Sequence, residues 1–206
     1  MVEHHYIGLL NYRDKDGRTP LHWASQSGRK VIAKILLDIG ANPGPKDDGG
    51  WTPLHLAARY KQEEIVKILL EKGATPRLWG RYGRSLLHWA VYEGYEAIVK
   101  LLLDKGADPG PKDESGQTPL HWASWSKNET IMELLLENDA DPSPKDDNGL
   151  TALHLAAQHG HETAVKLLLD KGADPDCGDK DGRTPLHWAS QYGHEEVVKL
   201  LNITAS

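Results

Sequence analysis

The stretch DGRTPLHWA at residues 16–24 decides the fold, because it returns unchanged at residues 181–189 and as close variants in between. Its histidine recurs every 33 residues without an insertion or a deletion. Self-similarity at a fixed period of this length is typical of a solenoid built from repeated supersecondary units. The six copies of this histidine are His22, His55, His88, His121, His154 and His187.

Each copy carries the signals of two short helices. Thr19 places a capping hydroxyl before Pro20, whose preset φ suits the first turn of a helix, and Gly28 supplies the residue that ends it. A second helix is predicted between Gly28 and Gly40, and its apolar stripe is too wide for one helix pair to bury. Each pair must therefore stack on its neighbours. The stripe consists of Val31, Ile32, Ile35, Leu36 and Leu37.

The motif Thr-Pro-Leu-His-x-Ala, the period of 33 and the Gly-Ala-Asp-Pro at 106–109 and 172–175 resemble the ankyrin-repeat family. The resemblance implies an all-α solenoid of stacked helix-turn-helix units, with a protruding hairpin loop at Asp16-Gly17 and its counterparts. We divide the chain into an N-terminal leader and partial cap, 1–13, and an ankyrin repeat domain, 14–206. The units of that domain are 14–46, 47–79, 80–112, 113–145, 146–178 and 179–206.

The composition argues against several classes of protein. The 206 residues are 39% hydrophobic, and no apolar run approaches the roughly 18 residues of a membrane span. The net charge of −6 is opposite in sign to a nucleic-acid-binding surface, so neither a membrane nor a nucleic-acid partner is predicted. The first residues do not read as a secretory signal, and the lone Cys177 fits a reducing compartment. The sequence predicts a cytoplasmic or nuclear protein.

The two ends of the array differ in their predicted capping. The leader carries four apolar residues that are predicted to cover the first unit in part, namely Tyr6, Ile7, Leu9 and Leu10. The last unit keeps four apolar residues and then stops, which predicts an uncapped face, and these are Val197, Val198, Leu200 and Leu201. Either the chain is cut from a longer array, or this face meets another molecule, a second copy included.

The eleven histidines invite a catalytic or metal-binding hypothesis that their spacing does not favour. The six motif histidines occupy one repeated position, and in the family this imidazole hydrogen-bonds to neighbouring backbone. His154, His159 and His161 lack the i, i+4 spacing of a metal half-site, and Gly160 interrupts the helix between them. The aspartates before the hairpin glycines lack the glutamate of a calcium loop. No catalytic residue, cofactor or metal is predicted, and the chain is predicted not to be an enzyme.

Function is expected where the chain departs from its repeat pattern. Trp51 directly precedes Thr52 and is predicted to project from its hairpin, and Trp125 is predicted to lie on the open face of a first helix. The other aromatic departures, which also fall in units two to four, are Tyr60, Trp79, Tyr82 and Tyr92. Four tryptophans that directly follow the motif histidine are instead predicted to pack, and these are Trp23, Trp89, Trp122 and Trp188.

Basic residues collect in the same part of the chain. The third unit opens with Gly80 where the other five open with aspartate, and Arg77, Arg81 and Arg84 flank this position. Arginine pairs with carboxylate or phosphate groups and stacks on rings, and arginine and aromatic residues carry most of the energy of protein interfaces. The resemblance implies that hairpin tips and first-helix faces line the concave side that family members use for partners.

These observations predict a non-enzymatic protein–protein interaction module that binds through its concave face, centred on units two to four. The partner is expected to carry an acidic or phosphorylated epitope beside an apolar group. The predicted partner-binding residues are Trp51, Arg59, Tyr60, Trp79, Arg81, Tyr82, Arg84, Tyr92 and Trp125. The alternatives are a scaffold without a dedicated target and an enzyme or small-molecule binder that uses the aromatic groove, with His159 or a carboxylate as general base.

The same units carry the weakest local signals for their helices. Lys61 and Lys127 replace the glycine that ends the first helix elsewhere, and Asn138-Asp139 replaces the glycine after the second. Ser85-Leu86 replaces Thr-Pro in the third unit. A non-glycine residue at positive φ costs roughly 1 kcal/mol or more, a cost that is expected where function competes with local consistency.

Overall fold

Six pairs of helices form the structure, a computed structural model that describes residues 10–76, 78, 79 and 82–204, with the backbone alone at 78, 79 and 204. The first helices of the pairs are α1 (Pro20–Gln26), α3 (Pro53–Arg59), α5 (Leu86–Tyr92), α7 (Pro119–Ser126), α9 (Ala152–Gln158) and α11 (Pro185–Tyr192). The second helices are α2 (Lys30–Asp38), α4 (Glu63–Glu71), α6 (Glu96–Asp104), α8 (Glu129–Glu137), α10 (Glu162–Asp170) and α12 (Glu195–Thr204). The predicted all-α repeat fold is confirmed.

The pairs stack into two parallel layers. Each first helix packs against the first helix of the next unit, and each second helix packs against the next second helix. The motif leucines of the first five units are buried, as Leu54 and Leu120 are, and that of the sixth, Leu186, is half-buried. Ile98 and Leu102 are buried in the layer of second helices. One apolar core therefore runs the length of the array, as expected when no unit can bury its stripe alone.

The first helices begin as the sequence predicts. Thr52 Oγ1 accepts a hydrogen bond from the His55 backbone N–H at 3.4 Å, and a proline follows the cap. In the third unit Ser85 caps α5 in the same way, accepting from the His88 backbone N–H at 3.3 Å, although Leu86 stands where four of the other units have proline. The third unit thus loses the preset φ of proline and keeps the cap.

Left-handed backbone conformations end several helices. Gly28 has a φ of +68°, which glycine adopts without strain. Lys61, Lys127 and Asp139 adopt the same region with φ of +54°, +56° and +63°, so the departures seen in the sequence are strained positions. Lys61 belongs to the second unit and the other two to the fourth, which places this strain on both sides of the third unit.

The hairpin of the third unit differs from the others in its construction. Elsewhere an aspartate side chain organises the turn: Asp47 Oδ1 accepts from the backbone N–H groups of Gly49 and Trp51 at 3.0 and 2.8 Å. In the third unit, where the sequence has Gly80, two short antiparallel strands take this place, β1 (Leu78–Trp79) and β2 (Arg84–Ser85). They are the only paired strands in the described part of the chain. The aspartate turn recurs at Asp14, Asp113, Asp146 and Asp179.

The ends of the array correct two expectations. Val197 and Leu201 are buried, so the prediction that all four apolar residues of α12 are uncovered is wrong for these two. They occupy the positions that face the preceding unit, where Ile98 and Leu102 are also buried. Val198 and Leu200 are half-buried.

The first unit is less covered than its sequence pattern suggests. In α2, Val31, Ile32 and Ile35 are exposed, whereas Ile65, the counterpart of Ile32 in the second unit, is buried. Of the leader residues predicted to cover this unit, Leu10 is half-buried against the core. The others, Tyr6, Ile7 and Leu9, lie outside the described residues.

Candidate binding surface

Four of the motif histidines tie their unit to the next. In the fourth unit, the Thr118 backbone N–H donates to His121 Nδ1 at 3.1 Å, and His121 Nε2 donates to the Leu150 carbonyl of the fifth unit at 3.0 Å. His22, His88 and His154 make the equivalent pair of contacts. Both ring nitrogens are committed to the backbone, so these imidazoles serve the scaffold and do not act as general bases.

Burial lowers the pKa of four of these imidazoles, because desolvation disfavours the charged ring, and these four are His22, His88, His121 and His154. A histidine whose pKa is lower in the folded chain contributes its full stability above the unfolded value of about 6.5. As pH falls through that value, the unfolded chain takes up protons first and stability is lost.

We therefore expect the urea midpoint to be constant between about pH 7.5 and 8.5 and to fall steeply from about pH 7 to about pH 5. The aspartates whose pKa is lowered lose their contribution only below about pH 4, so they do not mask this step. Unfolding curves at a series of pH values check the expectation. A midpoint that does not change above pH 5 would contradict the scaffold role of the histidines.

Of the predicted site residues of the second unit, Arg59 and Tyr60 are exposed and Trp51 is not. Trp51 is half-buried, with its ring edge-on to His55 at 6.5 Å and the Arg59 guanidinium 4.8 Å above it. The prediction that Trp51 projects from the hairpin is wrong, because the aspartate turn folds residue 51 back beside the first helix. Tyr60 is exposed, and its hydroxyl accepts from Gln26 Nε2 at 3.3 Å.

A larger cluster forms across the third and fourth units. The Arg84 guanidinium lies 4.4 Å from the centre of the Trp122 ring and 5.2 Å from that of Tyr82. Tyr92 meets Trp122 edge-on at 5.4 Å and stacks parallel to Trp125 at 6.4 Å. Tyr82, Tyr92 and Trp125 are 60%, 50% and 52% exposed. We call these five residues, Tyr82, Arg84, Tyr92, Trp122 and Trp125, the aromatic surface.

Two open cavities lie on this surface. One, of about 300 Å³, is lined by Arg84, Tyr92, Gln117, His121, Trp122, Trp125 and Leu155. The other, of about 400 Å³, is lined by Arg84, His88, Trp89, Tyr92 and Trp122. Arg84, Tyr92 and Trp122 line both, and they therefore form a wall between two adjacent depressions. Depressions lined by aromatic rings with a few polar groups are typical of binding sites.

Trp122 is the site residue that the sequence pattern missed. Its position after the motif histidine predicts packing, and the ring does pack partly against the core. It also carries the contacts with Arg84 and Tyr92 that hold the aromatic surface together. The signal available in the sequence was Arg84, because an arginine at this position contacts the following unit, as Arg18 does through Asp47. Trp23, also predicted to pack, is 45% exposed.

The remaining predicted residues are placed only in part. Trp79 belongs to β1 and pairs in register with Arg84, which brings its backbone to the edge of the aromatic surface. Arg77 and Arg81 lie outside the described residues. His159 extends the surface on its other side, with its ring edge-on to Trp125 at 6.4 Å and stacked on His161 at 5.7 Å.

The described residues include no group of three His, Cys, Asp or Glu side chains placed to hold a metal ion. His154 is engaged in the inter-unit contact, and His161 Nδ1 donates to the Ser124 carbonyl at 2.8 Å. None of the described helices is long and apolar enough to span a bilayer.

The family is shown by comparison with known sequences. A family model described as ankyrin repeats in three copies matches residues 2–78, 41–113, 74–146 and 142–205. These overlapping matches span nearly the whole chain. The chain belongs to the ankyrin-repeat family.

A similar arrangement is known from crystallography. An ankyrin repeat domain from Acinetobacter baumannii AYE superimposes with a TM-score of 0.86 at 29% sequence identity, covering 90% of this chain and 97% of that one. Similarity over nearly the full length of both chains means that the two arrays share their architecture.

The curated relatives match over single repeats. An ADP-ribosylation factor GTPase-activating protein of Arabidopsis thaliana is 56% identical over 39 residues, which are 19% of this chain and 5% of that protein. The transient receptor potential channel pyrexia of Drosophila melanogaster is 49% identical over 43 residues, 21% of this chain and 4% of that protein. This chain therefore spans less than a tenth of either relative.

Proposed function

We propose that the chain is a non-enzymatic binding module whose protein partner lies on its concave face, centred on units two to four. Ankyrin repeats generally mediate protein–protein interaction, and the aromatic surface is the observation that favours this location. Tyr82, Tyr92 and Trp125 are at least half exposed. Large rings kept in water at this density suit a surface that a partner covers.

The chemistry of the partner follows from Arg84 and the rings around it. A guanidinium pairs with one carboxylate or phosphate while its face stays on an aromatic ring, so the proposed epitope is acidic or phosphorylated beside an apolar group. Arg81, and Arg59 with Trp51, extend the proposed site toward the N-terminus in sequence.

Two further properties belong to the proposal, self-association and location. Self-association through the C-terminal face would use a smaller apolar surface than the sequence suggests, because Val197 and Leu201 are covered by the preceding unit. A cytoplasmic or nuclear location is proposed because Cys177 is the only cysteine.

The second candidate is a binder of small molecules, which the cavity of about 300 Å³ favours, since ligand pockets begin at about this volume. His159, the candidate base of an enzyme, stands at the edge of that surface. Saturable quenching of tryptophan fluorescence by small aromatic acids would favour this candidate, whereas a protein interface predicts no such saturation.

The test of the proposed function is the affinity of a binder captured from cell extract by the intact chain. We expect Trp79→Ala and Tyr82→Ala each to weaken that binder about thirtyfold, or about 2 kcal/mol, because a few aromatic residues carry most of an interface's energy. Lys112→Ala and Lys145→Ala are the matched controls at the positions equivalent to Trp79. Their side chains donate to the Lys145 and Gly178 carbonyls of the following units, at 3.0 and 2.7 Å, and present no ring.

Calorimetry gives the affinities, and melting curves confirm that all four variants fold. The two lysine variants should change affinity by less than about 0.5 kcal/mol. Equal losses in the two sets, or a binder that contacts only units five and six, would place the site elsewhere.

A further inference from the structure

Arg84 differs from the arginines at the same position of other units. Arg18 Nε lies 3.1 Å from Asp47 Oδ2, and its Nη1 donates to Gln26 Oε1 at 3.2 Å. Arg183 Nε lies 3.1 Å from Asp179 Oδ2, and its Nη2 lies 3.1 Å from Asp181 Oδ2. Arg84 Nε is 3.9 Å from Asp113 Oδ2, beyond hydrogen-bonding distance, and has no acceptor among the described residues.

The rings around Arg84 hold the guanidinium without using its donors. Trp122 lies against one side at 4.4 Å and Tyr82 is 5.2 Å away, so the contacts are with ring faces. The Trp122 Nε1 group is itself buried without an acceptor, although Trp23 and Trp188 donate to the aspartates of their own units at 2.8 and 3.1 Å. The wall between the two cavities therefore carries N–H groups without an acceptor, on Arg84 and Trp122, from which an anionic ligand could accept hydrogen bonds.

The surroundings of Arg84 limit the charge of that ligand. The Asp113 carboxylate lies beside it, and Asp146 is held by Gln117, which lines the first cavity, through an Nε2 to Oδ2 contact of 3.3 Å. Among the described lining residues of both cavities, Arg84 is the only one with a fixed positive charge. The single positive charge of Arg84 neutralises one bound carboxylate. It does not neutralise a doubly charged phosphate, which the two nearby aspartates would also repel.

We propose that the two cavities hold successive side chains of one extended segment of a partner protein, with a single carboxylate of that segment paired to Arg84. The wall lies between two open depressions, so the bound chain continues on both sides of it. Side chains two residues apart in an extended segment lie about 7 Å apart on one face, which lets one large apolar side chain enter each depression. This inference rests on the proposed function and adds the chemistry of its partner.

The probe is a displayed library of random peptides, fused so that the peptide has no free C-terminus, selected against the intact chain. We expect enriched sequences to place Asp or Glu within two residues of large aromatic or aliphatic side chains. The best peptide is then synthesised in its acidic form and with the acid replaced by its amide, which tests the carboxylate without altering the protein. The amide form should bind about tenfold more weakly, and a form with phosphoserine at that position should bind no better than the acid.

The protein variants are Arg84→Gln and the matched control Arg183→Gln. Arg84→Gln should cost the acidic peptide about tenfold and bring its affinity to that of the amide form, whereas Arg183→Gln should change it less than about twofold. A preference for the phosphorylated form would favour a phosphorylated partner instead. That preference, enrichment of basic or purely apolar peptides, no enrichment at all, or equal binding of acid and amide each overturns the proposal.

The outcome also separates this inference from the proposed function. Peptides that lose binding with Tyr82→Ala but keep it with Arg84→Gln would refute the carboxylate and leave the binding surface in place. Peptides indifferent to both variants would refute the two together.

Discussion

His121→Ala should lower the free energy of unfolding by about 3 kcal/mol, because the buried Thr118 N–H loses its side-chain acceptor and the Leu150 carbonyl keeps only its bond from the Asp146 N–H. The Thr118 N–H and the Leu150 carbonyl, which belong to different units, are both held by this imidazole. The ring is also buried, so its removal leaves a cavity whose lining loses packing contacts. Urea unfolding at pH 7.5, followed by circular dichroism, measures the change.

His187→Ala is the matched control for this prediction. His187 makes the same contact with Thr184 at 3.0 Å, but its ring is exposed and no described carbonyl accepts from Nε2. We expect this variant to lose less than about 1 kcal/mol. Equal losses in the two variants would show that the bridge between units contributes nothing. Full stability of His121→Ala would reopen a chemical role for the motif histidines.

Replacing Tyr92 and Trp125 together by glutamine should weaken a concave-face partner about hundredfold, or about 3 kcal/mol. Glutamine is the residue that the first, fifth and sixth units carry at this position, as Gln26, Gln158 and Gln191. The double variant therefore restores a side chain that the scaffold already accepts, and its melting temperature should stay within about 2 °C of that of the parent chain.

Gln158→Ala and Gln191→Ala are the controls at equivalent positions of units outside the aromatic surface. Both should leave the affinity unchanged within about twofold. If the double variant retains its partner, the exposed rings are ordinary surface. If it loses its partner and also melts early, the rings contribute to the scaffold and the assignment of this surface to binding is wrong.

The sequence predicts the scaffold well because each of its rules acts at short range or at a fixed spacing. Thr52 caps the helix that follows it. Leu54 and Leu120 are buried because each has a neighbouring unit on both sides. The period of 33 residues carries this local information along the array. The units at the two ends have only one neighbour, and there the pattern fails. Ile32 is exposed although its apolar stripe predicts burial, and Val197 is buried although the missing seventh unit predicts an uncovered face.

The site is harder to predict because it depends on contacts between units that the repeat pattern does not specify. Trp51 and Trp125 both depart from the pattern, yet the aspartate turn holds one against His55 while the other is half exposed. Trp122 follows the pattern and still joins the aromatic surface, since Arg84 comes from the preceding unit. Residues that depart from the repeat pattern are candidates for the site. Only the structure shows which of their side chains are in contact.

The inter-unit histidine contact has a consequence for the inheritance of such arrays. Four of the motif imidazoles, those of His22, His88, His121 and His154, reach a backbone carbonyl, which every amino acid supplies, at a constant offset of 29 residues. If a gene lost the segment encoding 113–145, His88 would meet the carbonyl of Leu150 in place of that of Gln117, and the register would survive. Duplication, loss or exchange of whole units can thus create new combinations of exposed side chains while the bonds that join the units remain the same.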